Sequence, residues 1–199
     1  MLNISVMASG GGTNFQAILD ALASGEIENA EVKLLIASND KAFAIERAKS
    51  HGIKATVISA KDYPDMDAKT DAILKALAEA ETDLIVLAGY MSILDPKVIQ
   101  EYSGRIINIH PSLIPKHCGK GMYGLKVHEA VLAAGDKETG ATVHYVDEGV
   151  DTGEIILQEK VPVMDGDTPE VLQKRVLETE HKILPAVIQM IAAGTLGVE

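Results

Sequence analysis

Short apolar runs that alternate with helical patterns constrain this chain more than any other feature. Residues 4–8, 32–37, 55–58, 84–88 and 106–110 are apolar stretches of strand length. Helical periodicity follows the first three, over residues 14–23, 42–50 and 67–80. In the first helix Phe15, Ile18, Leu19 and Leu22 share a face; in the third, Ile73, Leu74 and Leu77 point inward. The run 84–88 is apolar throughout, as suits a parallel strand covered on both faces. Such alternation builds an α/β fold, a mostly parallel sheet with helices on both faces.

The pattern changes near the C-terminal end. Residues 141–146 and 155–163 read as strands joined by the turn-rich Asp147, Glu148, Gly149, Val150, Asp151, Thr152 and Gly153. No helix fits between them, so an antiparallel pair is expected beside the parallel strands. Thr168 suits an N-cap, Pro169 the first helical position and Glu170 the first turn of a long final helix. Its expected buried face holds Val171, Leu172, Val176, Leu184, Val187 and Ile188, with Pro185 inside the run as a potential kink. At 199 residues, 47% of them hydrophobic, the chain is read as one domain, 1–199.

Charge and cysteine content narrow the function classes. With 18 basic and 29 acidic residues the net charge is −11, which repels polyanions. No basic patch offsets it, and Lys116 and Lys120 suit a solvated loop or a small-anion contact, so no nucleic-acid partner is expected. The single cysteine, Cys118, leaves no intramolecular disulfide and no cysteine zinc cluster. The N-terminus lacks a signal-peptide pattern and no apolar stretch reaches membrane-spanning length, so a cytoplasmic protein without a membrane partner is expected.

Three constellations carry chemistry. The first is Asn108-Ile109-His110-Pro111-Ser112-Leu113. An amide and an imidazole two residues apart on a strand point to one face. Together they can hold a carbonyl oxygen as it becomes an oxyanion and move a proton, which is acyl-transfer equipment. The plainer alternative is that both satisfy loop backbone groups.

The second is Ser9-Gly10-Gly11-Gly12-Thr13-Asn14, between the first strand and first helix. Glycines allow close backbone approach, and a helix N-terminus presents free N–H groups to a phosphate. The loop lacks a P-loop ending and fits the dinucleotide fingerprint poorly; a glycine turn without ligand is the plain alternative.

The third is His144 with Asp151. Alone, each reads as a core histidine and a turn residue. Converging on His110, a carboxylate would raise the imidazole pKa or order a proton-relaying water. His51, His117, His128 and His181 have no comparable context, and Glu180 reads either as a solvated helix charge or as a ligand for sugar hydroxyls. No histidine pair has helical metal spacing, so no metal is expected.

These segments, with Ala37-Ser38-Asn39, Leu87-Ala88-Gly89-Tyr90-Met91 and Gly140-Ala141-Thr142-Val143-His144-Tyr145-Val146, resemble the folate-dependent formyltransferase family nearly end to end. Within it the glycine loop, the chain length and Glu180-His181 resemble the phosphoribosylglycinamide formyltransferases. The resemblance implies a Rossmann-like formyltransferase fold, with a nucleotide-phosphate half over 1–103 and a catalytic, folate-binding half over 104–199. It implies formyl transfer from 10-formyltetrahydrofolate, as co-substrate, to the amine of glycinamide ribonucleotide in purine biosynthesis.

Under that resemblance Asn108 polarises the formyl carbonyl, and His110 stabilises the oxyanion and donates a proton toward the folate nitrogen. Asp151 pairs with His110 and helps a water shuttle the amine proton, with His144 in support. Gly12, Thr13 and Asn14 hold the phosphate and Glu180 the ribose. Met91, Ser92, Ile93 and Leu94, with Asn108, Asp147, Glu148, Gly149, Val150 and Asp151, form the folate pocket. Ser92 stands where relatives often carry Arg, no basic residue lies near Met66, and the loop 116–124 is long for the family.

A deformylase of the same donor is the alternative enzyme, and a non-catalytic Rossmann-like nucleotide-binding protein the alternative outside catalysis. The deformylase usually carries an extra N-terminal domain and the tRNA-directed formyltransferase a C-terminal one; with the first strand starting at once and the chain ending at Glu199, neither is expected. A monomer or a homodimer would be compatible with all of this.

Overall fold

The computed structural model describes residues 1–196; the last three positions of the expected 1–199 domain lie outside the described residues. In chain order the elements are β1 (Leu2–Ala8), α1 (Thr13–Ser24), β2 (Ala30–Ala37), α2 (Ala44–Ser50), β3 (Lys54–Val57), α3 (Met66–Glu79) and β4 (Leu84–Leu87). They continue with α4 (Pro96–Glu101), β5 (Ile106–His110), α5 (Leu125–Ala134), β6 (Glu138–Tyr145), β7 (Ile155–Pro162) and α6 (Pro169–Ala192).

One seven-stranded sheet runs in the order β3-β2-β1-β4-β5-β6-β7. Its first five strands are mutually parallel; β6 is antiparallel to both β5 and β7. The antiparallel pair expected near the C-terminal end is therefore present. Alternate residues of each central strand feed two cores. Ile4, Val6, Leu84, Val86, Ile107 and Ile109 meet α1, α5 and α6 on one face. Met7, Ile36, Ile85, Leu87 and Ile106 meet Ile73 and Leu77 of α3 and Val98 of α4 on the other. Each fully buried side chain of this size contributes roughly 1.5–3 kcal/mol of transfer free energy, so both faces must stay covered.

Expected details meet the structure unevenly. Thr168 caps α6, its side chain accepting from the Val171 N–H. Val171 itself is 49% exposed, a correction to its expected burial. Leu172 and Val176, four apart, already fill the stripe facing the core, and Val171 lies about 100° round the helix from Leu172. Pro185 sits within a single continuous α6, buried among Leu184, Val187 and Ile188. Helices α4 and α5 are additions to the elements expected from periodicity.

The chain order reverses between β1 and β4, because β2 and β3 lie to one side and β5 to the other. Loops leaving adjacent parallel strands in opposite directions open a crevice at their C-terminal ends, where α/β folds bind ligands. The glycine loop leaves β1 there, and the segment starting at Gly89 leaves β4.

Candidate active site

Ser9 ties three strand ends together at the crevice. Its hydroxyl accepts from the Ser38 hydroxyl (2.6 Å) and the Met91 N–H (2.8 Å), and its carbonyl accepts from the Asn39 amide (2.9 Å). Beyond it, Gly12 takes a left-handed conformation (φ 67°) as the N-cap of α1 and leaves the helix without a side-chain cap. The first N–H groups of α1 thus lack the usual capping partner. A Cβ on Gly12 would also stand 2.7 Å from the Ala44 Cβ, so only glycine fits between the loop and α2.

The crevice forms a cavity of about 680 Å³. Every site residue expected from the sequence borders it: Gly12, Thr13, Asn14 and Glu180 at one end, and 91–94 with 147–151 at the other. Asn108, His110 and His144 border it too. Pairing in the sheet puts Asn108 opposite His144 and His110 opposite Thr142, so β5 and β6 present both histidines from adjacent strands. Asp151 arrives from the β6–β7 turn, in a left-handed backbone conformation (φ 58°) that non-glycine residues rarely adopt. That turn is tight: the Asp147 carboxylate accepts from the Gly149 N–H and the Thr152 hydroxyl.

The polar atoms of this group determine one another's protonation. His144 Nδ1 lies 2.7 Å from the Tyr145 carbonyl, which only accepts, so Nδ1 carries the proton of the neutral ring. Its Nε2 then accepts from the Asn108 amide nitrogen at 3.1 Å, which fixes the orientation of that amide. The second amide hydrogen of Asn108 makes a long contact to Asp151 Oδ1 at 3.5 Å. His110 Nε2 lies 3.0 Å from the His117 carbonyl and so bears the proton of its neutral ring. Its Nδ1 lone pair faces Asp151 Oδ2 at 3.6 Å, placing an added proton against a carboxylate.

Burial is the largest influence on His110 and holds it below the usual imidazole range, against the pull of Asp151 and the His117 carbonyl. For Asp151, burial pushes upward, but His110 and the Gly119 N–H act against it, and the carboxyl stays below its ordinary value. A neutral imidazole beside an ionised carboxylate is a pair ready to take up and pass on a proton.

At the other end, Glu180 is buried and accepts from the Asn14 amide nitrogen at 2.7 Å. Burial raises its pKa to about 7 despite that hydrogen bond. The side-chain amide oxygen of Asn14, Oδ1, is buried with no hydrogen-bond partner.

Two histidines expected to lack context belong here. His117 lends its carbonyl to His110, and its ring bonds Asp136 at 2.7 Å. Gly119 donates its N–H to Asp151 Oδ2 at 2.9 Å, so the loop 116–124 supplies backbone partners to both members of the His110–Asp151 pair. His128 of α5 borders the cavity, 1% exposed, with Nδ1 unpartnered. Burial and the nearby His110 lower its pKa to about 4. The role of the His117 carbonyl has no side-chain signal in the sequence; for His128, a histidine between Val127 and Val131 in a helical pattern was the available clue. Among the described residues, no group of three or more His, Cys, Asp or Glu could hold a metal ion.

An amide, an imidazole and a carboxylate at the sheet's C-terminal edge, opposite an uncapped glycine loop, form a set with the chemistry for acyl transfer. The chain belongs to the formyl transferase family, whose model matches residues 2–188. It is 43% identical to the phosphoribosylglycinamide formyltransferase of Haemophilus influenzae, over 98% of this chain and 90% of that protein. The solved glycinamide ribonucleotide transformylase 1 of Symbiobacterium toebii superposes with a TM-score of 0.92 at 41% identity, covering all of this chain and 91% of that one. A trifunctional purine biosynthetic protein, adenosine-3, of Drosophila pseudoobscura pseudoobscura is 42% identical over 97% of this chain, which spans 14% of that longer protein. Among the described residues no helix is long and apolar enough to cross a membrane.

Proposed function

We propose that this chain transfers the formyl group of 10-formyltetrahydrofolate to the primary amine of glycinamide ribonucleotide, a step of purine biosynthesis. One observation carries the reading: Asn108, His110 and Asp151 border a single cavity with a phosphate-type loop at one end and an apolar, backbone-rich pocket at the other. The amine nitrogen attacks the formyl carbon, a C–N bond forms and the oxygen gains the charge. The bond from carbon to the folate nitrogen then breaks, and the proton lost by the amine ends on that nitrogen.

Each group has a part in this sequence. Asn108 turns its weakly engaged N–H, now 3.5 Å from Asp151, onto the developing oxyanion. His110 Nε2–H exchanges the His117 carbonyl for the reacting centre and delivers the proton. Asp151 stabilises the imidazolium that forms when Nδ1 takes up a proton, and His144 holds Asn108 in register. Gly12 and Thr13 hold the phosphate by backbone N–H groups. Glu180 and the unpartnered Asn14 Oδ1 accept from ribose hydroxyls. The exposed Met91, Ile93 and Val150 close on the folate ring system, and Ser92, Leu94, Asp147, Glu148 and Gly149 complete the pocket.

Hydrolysis of the same donor would use the folate end alone and leave the glycine loop and the buried Asn14–Glu180 pair without a ligand. The experiment is steady-state kinetics of His110→Ala and Asp151→Asn. Each is expected to lower kcat by roughly 10²-fold or more, the scale of positioned acid–base groups. Near-normal kcat in either variant removes that residue from the proton path.

A further inference from the structure

We infer that Arg47, outside the cavity, is a positioning residue for the phosphate of the nucleotide substrate; the inference rests on the phosphate-loop reading above. The glycine loop holds a dianion in an acidic chain, yet residues 9–14 contain no basic side chain, and Lys120 is the single Lys or Arg bordering the cavity among the described residues. The loop's shape has an identifiable cause on its far side. Helix α2 grips two successive carbonyls: Gly10 O accepts from the Ala44 N–H at 3.2 Å, and Gly11 O accepts from Arg47 Nε at 2.8 Å.

A trans peptide carries its C=O and the following N–H on opposite sides. Fixing the Gly10 and Gly11 carbonyls toward α2 therefore aims the N–H groups of Gly11 and Gly12 away from α2. Arg47 Nη1 also donates to Gln16 Oε1 on α1 at 3.0 Å, and its guanidinium stacks on Phe43, 5.1 Å from the ring centre. The planar fork thus spans the loop carbonyl and the first turn of α1, a geometry that an ammonium cannot reproduce with one nitrogen. A full positive charge sits directly behind the peptide that faces the anion, adding to the helix dipole.

The test is the affinity for ribose 5-phosphate and for ribose, measured by displacement of a bound nucleotide substrate, in wild-type protein, R47Q and R47K. Wild type is expected to prefer the phosphorylated sugar strongly. R47Q is expected to bind ribose 5-phosphate roughly tenfold more weakly, about one hydrogen-bonded charge, with ribose binding unchanged. In turnover, KM for the nucleotide rises while kcat and KM for the formyl donor stay within about twofold, a split that general loosening of the fold would not give. R47K, with charge but no fork, is expected to fall between, and it carries the test alone should R47Q fail to fold. Unchanged ribose 5-phosphate affinity in the folded variant overturns the role of Arg47. Equal wild-type affinity for the two sugars overturns instead the phosphate loop, and this role with it.

Discussion

Asn108 has two amide hydrogens, and both have partners: His144 Nε2 at 3.1 Å and Asp151 Oδ1 at 3.5 Å. The shorter bond locks the amide; the longer is weak enough to be redirected. Glu180 allows a sharper inference. A carboxyl raised to about 7 is partly protonated near neutrality. Hydroxyl donors from a ribose favour the ionised form, so nucleotide binding should release protons around pH 7. Calorimetry in buffers of differing ionisation enthalpy should show that release, and Glu180→Gln should abolish it; a wild-type titration independent of buffer contradicts the assignment. The same group affects stability. Its pKa rises from about 4.5 on folding, so its contribution is fully present below that value and is lost as pH climbs through about 7. Melting temperature should accordingly fall less between pH 5 and 8 in Glu180→Gln than in the parent.

The glycine loop shows why element geometry decides which substitutions are informative. Gly12 needs its positive φ and the space against Ala44, so Gly12→Ala should destabilise the protein by about 1–3 kcal/mol through strain and overpacking. Gly11 borders the cavity, and a Cβ there meets nothing within 4 Å. Gly11→Ala should therefore keep the parent's melting temperature and raise KM for the nucleotide more than for the folate. Equal rises in the two KM values would separate the loop from the phosphate. Elements differed in how well the sequence announced them. Strand β4 declares itself by an unbroken apolar run, β1 and β5 by mostly apolar ones, and α6 by its Thr168-Pro169 start. Helix α4 is six residues long, too short for periodicity, although Asp95-Pro96 is a cap signal. Helix α5 starts after Gly124 without a side-chain cap and buries His128 on the same face as Val127 and Val131. Its place beside His110 depends on the path of the loop 116–124, which is tertiary information.

Over the whole molecule, one topological fact assembles the site. The order β3-β2-β1-β4-β5 opens the crevice between β1 and β4, and the antiparallel β6 and β7 bring His144 and Asp151 to β5 from a segment more than thirty residues downstream. Residue types and their strand–helix context made Asn108, His110 and the glycine loop legible. Convergence of His144, Asp151 and Glu180 was inferable through resemblance, because nothing in local sequence encodes a register across strands. Backbone partners, the His117 carbonyl and the Gly119 N–H, leave no side-chain trace at all. The two ends of one cavity imply two small substrates held together across the Asn108–His110–Asp151 group. The most direct test is the rate of 10-formyltetrahydrofolate consumption by the purified chain, followed spectrophotometrically with and without glycinamide ribonucleotide. Consumption that requires the nucleotide and yields its N-formyl derivative one for one is the predicted result; consumption at the same rate without it, releasing formate, would contradict the account.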